Sequence, residues 1–151
     1  MKLFICFLVL AGMAFSCSDS EERENTVIPA PDLNGVWKPV WYEYKGKTYL
    51  LTDCEKKGQL SVNSDFSGVY ERYGSTGASS NCTLYDSFTG KWSYDKITKI
   101  LTLNYQENGI SKTLKKELQD FSAVELKITD TSQNLDNVPG NDEASLVFTK
   151  Q

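Results

Sequence analysis

The sequence predicts an all-β protein, an antiparallel up-and-down β-barrel of about eight strands that follows an N-terminal signal peptide and a short tether. Three observations support this fold class. Short runs rich in β-branched and aromatic residues recur at fairly even spacing, turn residues divide them, and no long helical stripe interrupts them. Even spacing of short strands is typical of a closed or nearly closed antiparallel sheet.

The chain begins with an export leader, in which Lys2 and an apolar run over residues 3–15 lead to Ser16 and Cys17. A signal peptidase recognises such a pattern, and the run is too short to cross a bilayer as a helix. Two cleavages fit, since the residues before Cys17 form a relaxed lipobox, while Ala14 and Ser16 also satisfy the rule for ordinary secretory cleavage. We expect lipidation of Cys17, because ordinary cleavage would leave a free thiol in a secreted protein.

The expected lipoprotein signal peptide covers residues 1–16, and an acidic, proline-containing tether covers residues 17–32. The sequence Ser-Asp-Ser-Glu-Glu-Arg-Glu at 18–24 resembles the acidic export tag of Bacteroidota-type surface lipoproteins. This resemblance implies a cell-envelope location, as an outer membrane lipoprotein exposed at the surface. The other interpretation of these acids is a solvated tether, for which low hydrophobicity and like charge are sufficient.

Charge and composition exclude several classes of function. The formal net charge of −4 disfavours nucleic acid as a partner, because phosphates require a basic face. The chain has no histidine, which removes Ser-His and Cys-His nucleophilic devices and histidine zinc sites. The sequence also shows no nucleophile motif and no evident carboxylate pair. We therefore expect no enzyme activity, no catalytic residues, no metal site and no cofactor.

Two cysteines remain in the expected mature chain besides Cys17, namely Cys54 and Cys82. Exported proteins meet an oxidising environment, so a disulfide between these two is the simplest assignment. The alternative, a closed zinc site, would have too few soft ligands. The sequence therefore predicts a Cys54–Cys82 disulfide.

The folded domain is expected over residues 33–151. The predicted strands are, in order, residues 33–44, 58–62, 66–73, 82–94, 99–105, 110–118, 123–129 and 144–150. Asn108 and Gly109 can adopt the positive φ angles of a tight hairpin turn, and residues 63–65 and 94–96 offer turns capped by side chains. Sequential strands should therefore be neighbours in the sheet.

Alternation along the later strands assigns one apolar face to each of them. The residues expected to face inward are Phe88, Trp92, Leu101, Leu103, Tyr105, Ile110, Leu114, Leu118, Val124, Leu126, Ile128, Leu146 and Phe148. Those expected to face water are Thr102, Asn104, Thr113, Lys115 and Glu117. A sheet with one apolar side must curl or pair to bury that side.

The segment 33–37, Leu-Asn-Gly-Val-Trp, resembles the Gly-x-Trp opening of a lipocalin first strand. Further segments at 53–57, 63–68 and 90–95, followed by Leu-Thr-Leu at 101–103, occur in the same order as in that family. Together they resemble the lipocalin-like domain of Bacteroidota-type lipoproteins over nearly all of the chain after residue 31. The resemblance implies a barrel closed at one end and open at its mouth to a small apolar ligand. About eight strands leave room for packed side chains or one small ligand.

The same resemblance implies that Trp37 seals the closed end. The chain departs from better-studied lipocalins in having only two arginines, Arg23 and Arg72, so no arginine near the last strand can stack over Trp37. Trp37 and Trp92 are expected in the core at the barrel base, because large aromatic side chains on strand faces more often pack than bind ligands.

Five residues are candidates for ligand binding because they combine aromatic surface with hydrogen-bonding tips, as small-molecule pockets do. They are Tyr70, Arg72, Tyr85, Phe88 and Tyr105. Each of them also has an ordinary structural interpretation. Arg72 in particular could clamp a ligand carboxylate or pair with an exposed acid.

Two functions of different classes remain open. The first is a lipid-anchored, non-enzymatic envelope lipoprotein whose barrel binds a small hydrophobic or amphipathic molecule and whose N-terminal lipid anchor holds it to a membrane. The alternative is an interaction module, with a barrel filled by its own aromatic side chains, that binds a protein or glycan partner through its loops. The free volume inside the barrel distinguishes the two.

Overall fold

The computed structural model describes residues 32–75 and 81–151. The expected signal peptide, most of the tether and Cys17 lie outside these residues. The described part forms nine strands and one short 3₁₀ helix, and none of its helices is long and apolar enough to cross a membrane. The elements are β1 (Gly35–Tyr44), β2 (Lys47–Leu50), a 3₁₀ helix (Glu55–Lys57), β3 (Gln59–Val62), β4 (Ser67–Ser75), β5 (Cys82–Asp95), β6 (Ile100–Glu107), β7 (Ile110–Phe121), β8 (Glu125–Gln133) and β9 (Asp142–Lys150).

Eight of the strands close into an antiparallel barrel. The order around the ring is β1-β3-β4-β5-β6-β7-β8-β9, and β9 pairs back onto β1 from Trp37 opposite Lys150 to Glu43 opposite Ser145. Consecutive strands are neighbours, as expected when short turns join them. The predicted all-β, up-and-down barrel of about eight strands is therefore confirmed.

The remaining strand, β2, lies outside the ring, and the sequence analysis did not predict it. It forms a hairpin with the second half of β1, while β3 pairs with the first half of the same edge. Lys45 and Gly46 make the connecting turn with positive φ angles of 48° and 73°. The four residues Lys-Thr-Tyr-Leu are mostly exposed and show no apolar alternation, so no periodic signal marked them as a strand.

The barrel has two different ends. The turns after β3, β5 and β7 lie at one end together with Leu33 and Lys150, and we call it the closed end. The opposite end, the mouth, carries the turn after β6, where Asn108 and Gly109 have φ angles of 51° and 77° as predicted for a tight hairpin. The largest buried side chains include Trp37, Leu60, Leu101, Leu103, Leu126, Ile128 and Phe148.

The predicted inward orientation is wrong for two residues. Ile110 is 63% exposed and Val124 is 68% exposed. Ile110 pairs with Glu107 at the very start of β7, directly after the hairpin turn, so it lies at the rim of the mouth. Val124 precedes β8 and belongs to the turn before it. In both cases the predicted alternation continued beyond the part of the strand whose inner face is buried in the barrel.

The predicted disulfide between Cys54 and Cys82 is confirmed. It ties the residue before the 3₁₀ helix to the first residue of β5, two positions 28 residues apart in the chain. The segment between β2 and β3 is thereby fixed against the mouth half of the barrel wall. Such a cross-link stabilises the fold mainly by restricting the unfolded chain.

Candidate functional site

Trp37 seals the closed end of the barrel. Its side chain is fully buried, its Nε1 donates a hydrogen bond to the Leu33 carbonyl at 2.9 Å, and its ring lies 5.7 Å from that of Phe121. The Lys150 Nζ lies 5.2 Å from the centroid of the Trp37 ring. A lysine on the last strand therefore supplies the cation–π contact for which the sequence offers no arginine.

Trp92 is the second aromatic residue of the closed end. It is buried, and its Nε1 donates a hydrogen bond to the Ser61 carbonyl at 2.9 Å. Gly68 leaves the space that this contact needs, because a Cβ there would lie 2.7 Å from Trp92 Nε1 and 1.9 Å from the Ser61 carbonyl oxygen. The structure thus places both Trp37 and Trp92 in the core at the barrel base.

An ion pair lies inside the barrel, between β7 and β8. Lys116 Nζ lies 2.8 Å from Asp130 Oδ2, and their side chains are only 14% and 1% exposed. Asp130 also accepts hydrogen bonds from the Ser132 amide at 2.9 Å and from the Tyr42 hydroxyl at 3.5 Å. Lys116 Nζ lies 5.4 Å from the centre of the Tyr70 ring. These five residues form a polar belt across the middle of the interior.

Burial and charge act against each other in this polar belt. Burial by itself raises the pKa of Asp130, but the charge of Lys116 and the hydrogen bonds from Lys116 and Ser132 outweigh it and hold that pKa below its ordinary value. Burial, reinforced by the negative charge of Asp130, raises the pKa of Tyr42 and of Tyr70. At neutral pH the Asp130 carboxylate therefore stays ionised, and the hydroxyl groups of Tyr42 and Tyr70 stay neutral.

The sequence analysis missed Lys116 and Asp130, although the strand pattern contained a signal for both. Asp130 continues the inward series of Leu126 and Ile128, and Lys116 lies between Leu114 and Leu118. With a period of two, each charge falls on the inner face of its strand. A charged residue at an inward position indicates a buried partner on a neighbouring strand.

A second ion pair lies nearer the mouth, between β4 and β5. Arg72 Nε lies 2.6 Å from Asp86 Oδ2, and both side chains are partly buried. Arg72 Cζ also lies 5.3 Å from the centre of the Tyr85 ring. Burial lowers the pKa of Arg72, but the bond to Asp86 raises it overall, so the guanidinium stays charged. Of the two predicted roles for Arg72, pairing with an acid is the one seen, with a partner that is partly buried.

A β-bulge determines the position of Tyr85. The β4–β5 register shifts between Arg72 and Tyr73, which leaves Tyr85 without a direct partner on β4. Its ring lies over Gly74, where a Cβ would approach Tyr85 Cε2 to 2.3 Å, and its hydroxyl donates to the Ser75 carbonyl at 3.0 Å. Tyr85 is therefore a rim residue of the mouth and remains 42% exposed.

Apolar inner surface remains accessible on β5, β6 and β7. Phe88 and Tyr105 stack with ring centroids 4.4 Å apart and an interplanar angle of 24°. Both rings and the Leu114 side chain pack against the core, yet each is only partly buried. The close approach of β5 to β6 depends on Gly90, since a Cβ there would lie 1.9 Å from the Asn104 carbonyl oxygen.

The opposite side of the interior contains a small cavity. A cavity of about 20 Å³ lies between β1 and β4, with Tyr42, Leu51, Tyr70 and Phe148 among its lining residues. That volume holds about one water molecule. In residues 32–75 and 81–151, every buried side-chain nitrogen and oxygen has a hydrogen-bond partner. Of the candidate ligand residues, Tyr70 is core, whereas Arg72, Phe88 and Tyr105 line the mouth half; their role in binding stays a prediction.

The comparisons with known proteins agree with this architecture. The model of the lipocalin-like domain family matches residues 33–136, from the residue that accepts the Trp37 hydrogen bond to the loop after β8. No curated protein matches the chain. A barrel of this family suggests ligand binding, is compatible with a small hydrophobic ligand, and is generally a binding fold without enzyme activity. The match covers most of the chain, and the protein belongs to the lipocalin-like domain family.

Proposed function

We propose that this protein is a lipid-anchored, non-enzymatic envelope lipoprotein whose barrel binds a small hydrophobic or amphipathic molecule at its mouth. One observation supports the binding role above the others. Phe88, Tyr105 and Leu114 face the interior and pack against the core, yet solvent still reaches them. A ligand that covers such surface gains about 25 cal/mol per Å² of buried apolar area before the costs of ordering.

The charges around this surface favour a ligand whose polar part is uncharged. Arg72 already pairs with Asp86, and Lys116 already pairs with Asp130. A ligand carboxylate would meet the negative charge of Asp86 or Asp130 beside each of these cations, and would therefore gain less than from an unpaired cation. A hydroxyl, ester or amide group can hydrogen-bond to the existing pairs without separating them.

The binding role predicts uptake of an apolar probe that depends on the Phe88–Tyr105 stack. We expect the protein to bind the methyl ester of the fluorescent cis-parinaric acid at least as tightly as the free acid. Phe88→Ala and Tyr105→Ala should each raise the dissociation constant about tenfold, because each removes ring surface that the ligand covers. Fluorescence titration measures the constants.

Two outer-wall variants provide the matched controls for this titration. Thr89→Ala and Asn104→Ala change exposed side chains next to Phe88 and Tyr105 on the same strands, and they should leave the constants unchanged. Urea unfolding of all four variants verifies that the barrel is intact. Absence of uptake by the unaltered protein, with a bare mass after purification from its own host, would refute a ligand barrel.

The anchor predicts a lipid on Cys17. We expect intact mass analysis to show a chain that starts at Cys17 and carries acyl groups, and Cys17→Ser to release the protein from the membrane fraction. Ser20→Ala, three residues further on, should leave both the mass shift and the membrane fraction unchanged. An unmodified mass at Cys17 would refute lipidation.

The second candidate, an interaction module, also has an observation in its favour. The cavity beside β1 and β4 has a volume of only about 20 Å³, so the side chains that line it pack closely around it. In this function the loops would bind a protein or glycan partner. Probe uptake that is lost in Phe88→Ala and Tyr105→Ala supports the ligand barrel, whereas a bare mass without uptake supports the interaction module.

A further inference from the structure

The closed end carries an apolar groove, at the opposite end of the barrel from the proposed ligand site. The groove has a volume of about 420 Å³. Its walls include Leu33 before β1, Val62 at the end of β3, Phe66 in the next turn, and Trp92 and Tyr94 at the end of β5. Nothing in the packing of the described strands fills it.

Phe66 is an unusual residue for the place it occupies. Its φ angle is 62°, in the left-handed region that bulky side chains rarely adopt, and its side chain is 60% exposed. Its backbone is fixed from both sides, since its amide donates to the Asn63 carbonyl at 2.8 Å and its carbonyl accepts from the Trp92 amide at 2.7 Å. An exposed ring held in an unfavourable backbone conformation points to a role for the ring itself.

The chain enters the barrel at this groove. Residues 32–34 form part of its wall, so the preceding segment starts at the groove margin. Between Cys17 and Leu33 the only large aliphatic residues are Val27 and Ile28. An extended chain covers about 3.3 Å per residue, so the four steps along the chain from Ile28 to Asp32 span about 13 Å. Because Asp32 and Phe66 line the same groove, this length is sufficient to bring both aliphatic side chains to the groove.

We propose that Val27 and Ile28 dock in the closed-end groove against the ring of Phe66 and thereby fasten the tether to the barrel. Because the segment is part of the same chain, its effective concentration at the groove is on the order of millimolar, and a small apolar contact is sufficient. The docking is independent of the proposed ligand binding. If Cys17 carries the proposed lipid, docking directs the closed end toward the membrane and the mouth away from it.

The test measures backbone order in the tether by ¹⁵N relaxation. The protein is the mature chain, residues 17–151, with Cys17→Ser so that it stays in solution. We expect order parameters of about 0.8 for the Val27 and Ile28 amides, close to those of a rigid backbone, against values below about 0.6 for a mobile chain. The double variant Val27→Asp/Ile28→Asp should fall below about 0.6. Thr26→Asp adds a charge to the neighbouring residue and should retain the order.

Phe66→Asn separates docking from folding. Asparagine tolerates a positive φ angle better than phenylalanine, so the turn should remain intact and the barrel at least as stable to urea. The order of Val27 and Ile28 should nevertheless be lost, which a purely structural role of Phe66 would not cause. The proposal would be overturned by order parameters below about 0.6 for Val27 and Ile28 in the protein that carries no substitution at 27, 28 or 66. So would a mobile tether combined with binding of the groove to phosphatidylglycerol vesicles or to a second copy of the chain.

Discussion

Asp130→Ala is expected to lower the free energy of unfolding by about 3 to 5 kcal/mol, because it leaves the Lys116 ammonium inside the barrel without its partner. Lys116 Nζ lies 2.8 Å from Asp130 Oδ2, and Asp130 is almost fully buried. The change also removes the acceptor for the Tyr42 hydroxyl and the Ser132 amide. Urea unfolding followed by fluorescence gives the difference.

A double variant provides the control for this prediction. Lys116→Met together with Asp130→Leu replaces the pair by apolar groups of similar size and should recover most of the loss, since no buried charge remains. If Asp130→Ala and the double variant are equally destabilised, the missing partner charge is not the cause. A loss below about 1 kcal/mol for Asp130→Ala would show that water reaches Lys116.

The same pair predicts a dependence of stability on pH. The pKa of Asp130 is lower in the folded protein than its ordinary value of about 3.9. A group with a depressed folded pKa contributes stability that is present above the unfolded pKa and is lost as the pH falls through the folded pKa. The difference in unfolding free energy between the unaltered protein and Asp130→Ala should therefore be constant near neutrality and shrink below about pH 4.

Trp37→Ala is expected to cost about 3 to 5 kcal/mol, because it leaves a large cavity at the closed end. The ring is fully buried, contacts Phe121 and lies under Lys150. Trp37→Phe keeps an aromatic ring under Lys150 but loses the hydrogen bond to the Leu33 carbonyl, so its cost should be clearly smaller. Equal unfolding midpoints in urea for the two variants would contradict the sealing role of the ring.

Much of the fold could be predicted because its strands alternate between an apolar face and a polar one. Leu101, Leu103, Leu126 and Ile128 are buried as their spacing indicated. β2 could not be predicted in this way, since it lies outside the ring and buries no continuous face. A hairpin of that kind is specified by its turn and by the edge of β1, and neither leaves a periodic pattern.

The candidate site was harder to predict than the fold. The inward orientation of Phe88 and Tyr105 could be predicted from the alternation along their strands. Their stacking could not, because it depends on the register between β5 and β6, which the close approach of Gly90 to Asn104 helps to set. The position of Tyr85 depends on a β-bulge that no local sequence pattern predicted. The acid that pairs with Arg72 could not be predicted either, because cross-strand neighbours depend on the register between strands.

The closure between β1 and β9 has a consequence for how this chain reaches its native state. Trp37 near the start of the domain pairs with Lys150 on the last strand of the ring, so the ring cannot close until β9 has been synthesised. Contacts so distant in sequence make folding slow, typically in milliseconds to seconds for β-rich domains. Until then β1 and β8 present open edges that other chains can pair with, and the interval before closure is when this protein is most prone to aggregate.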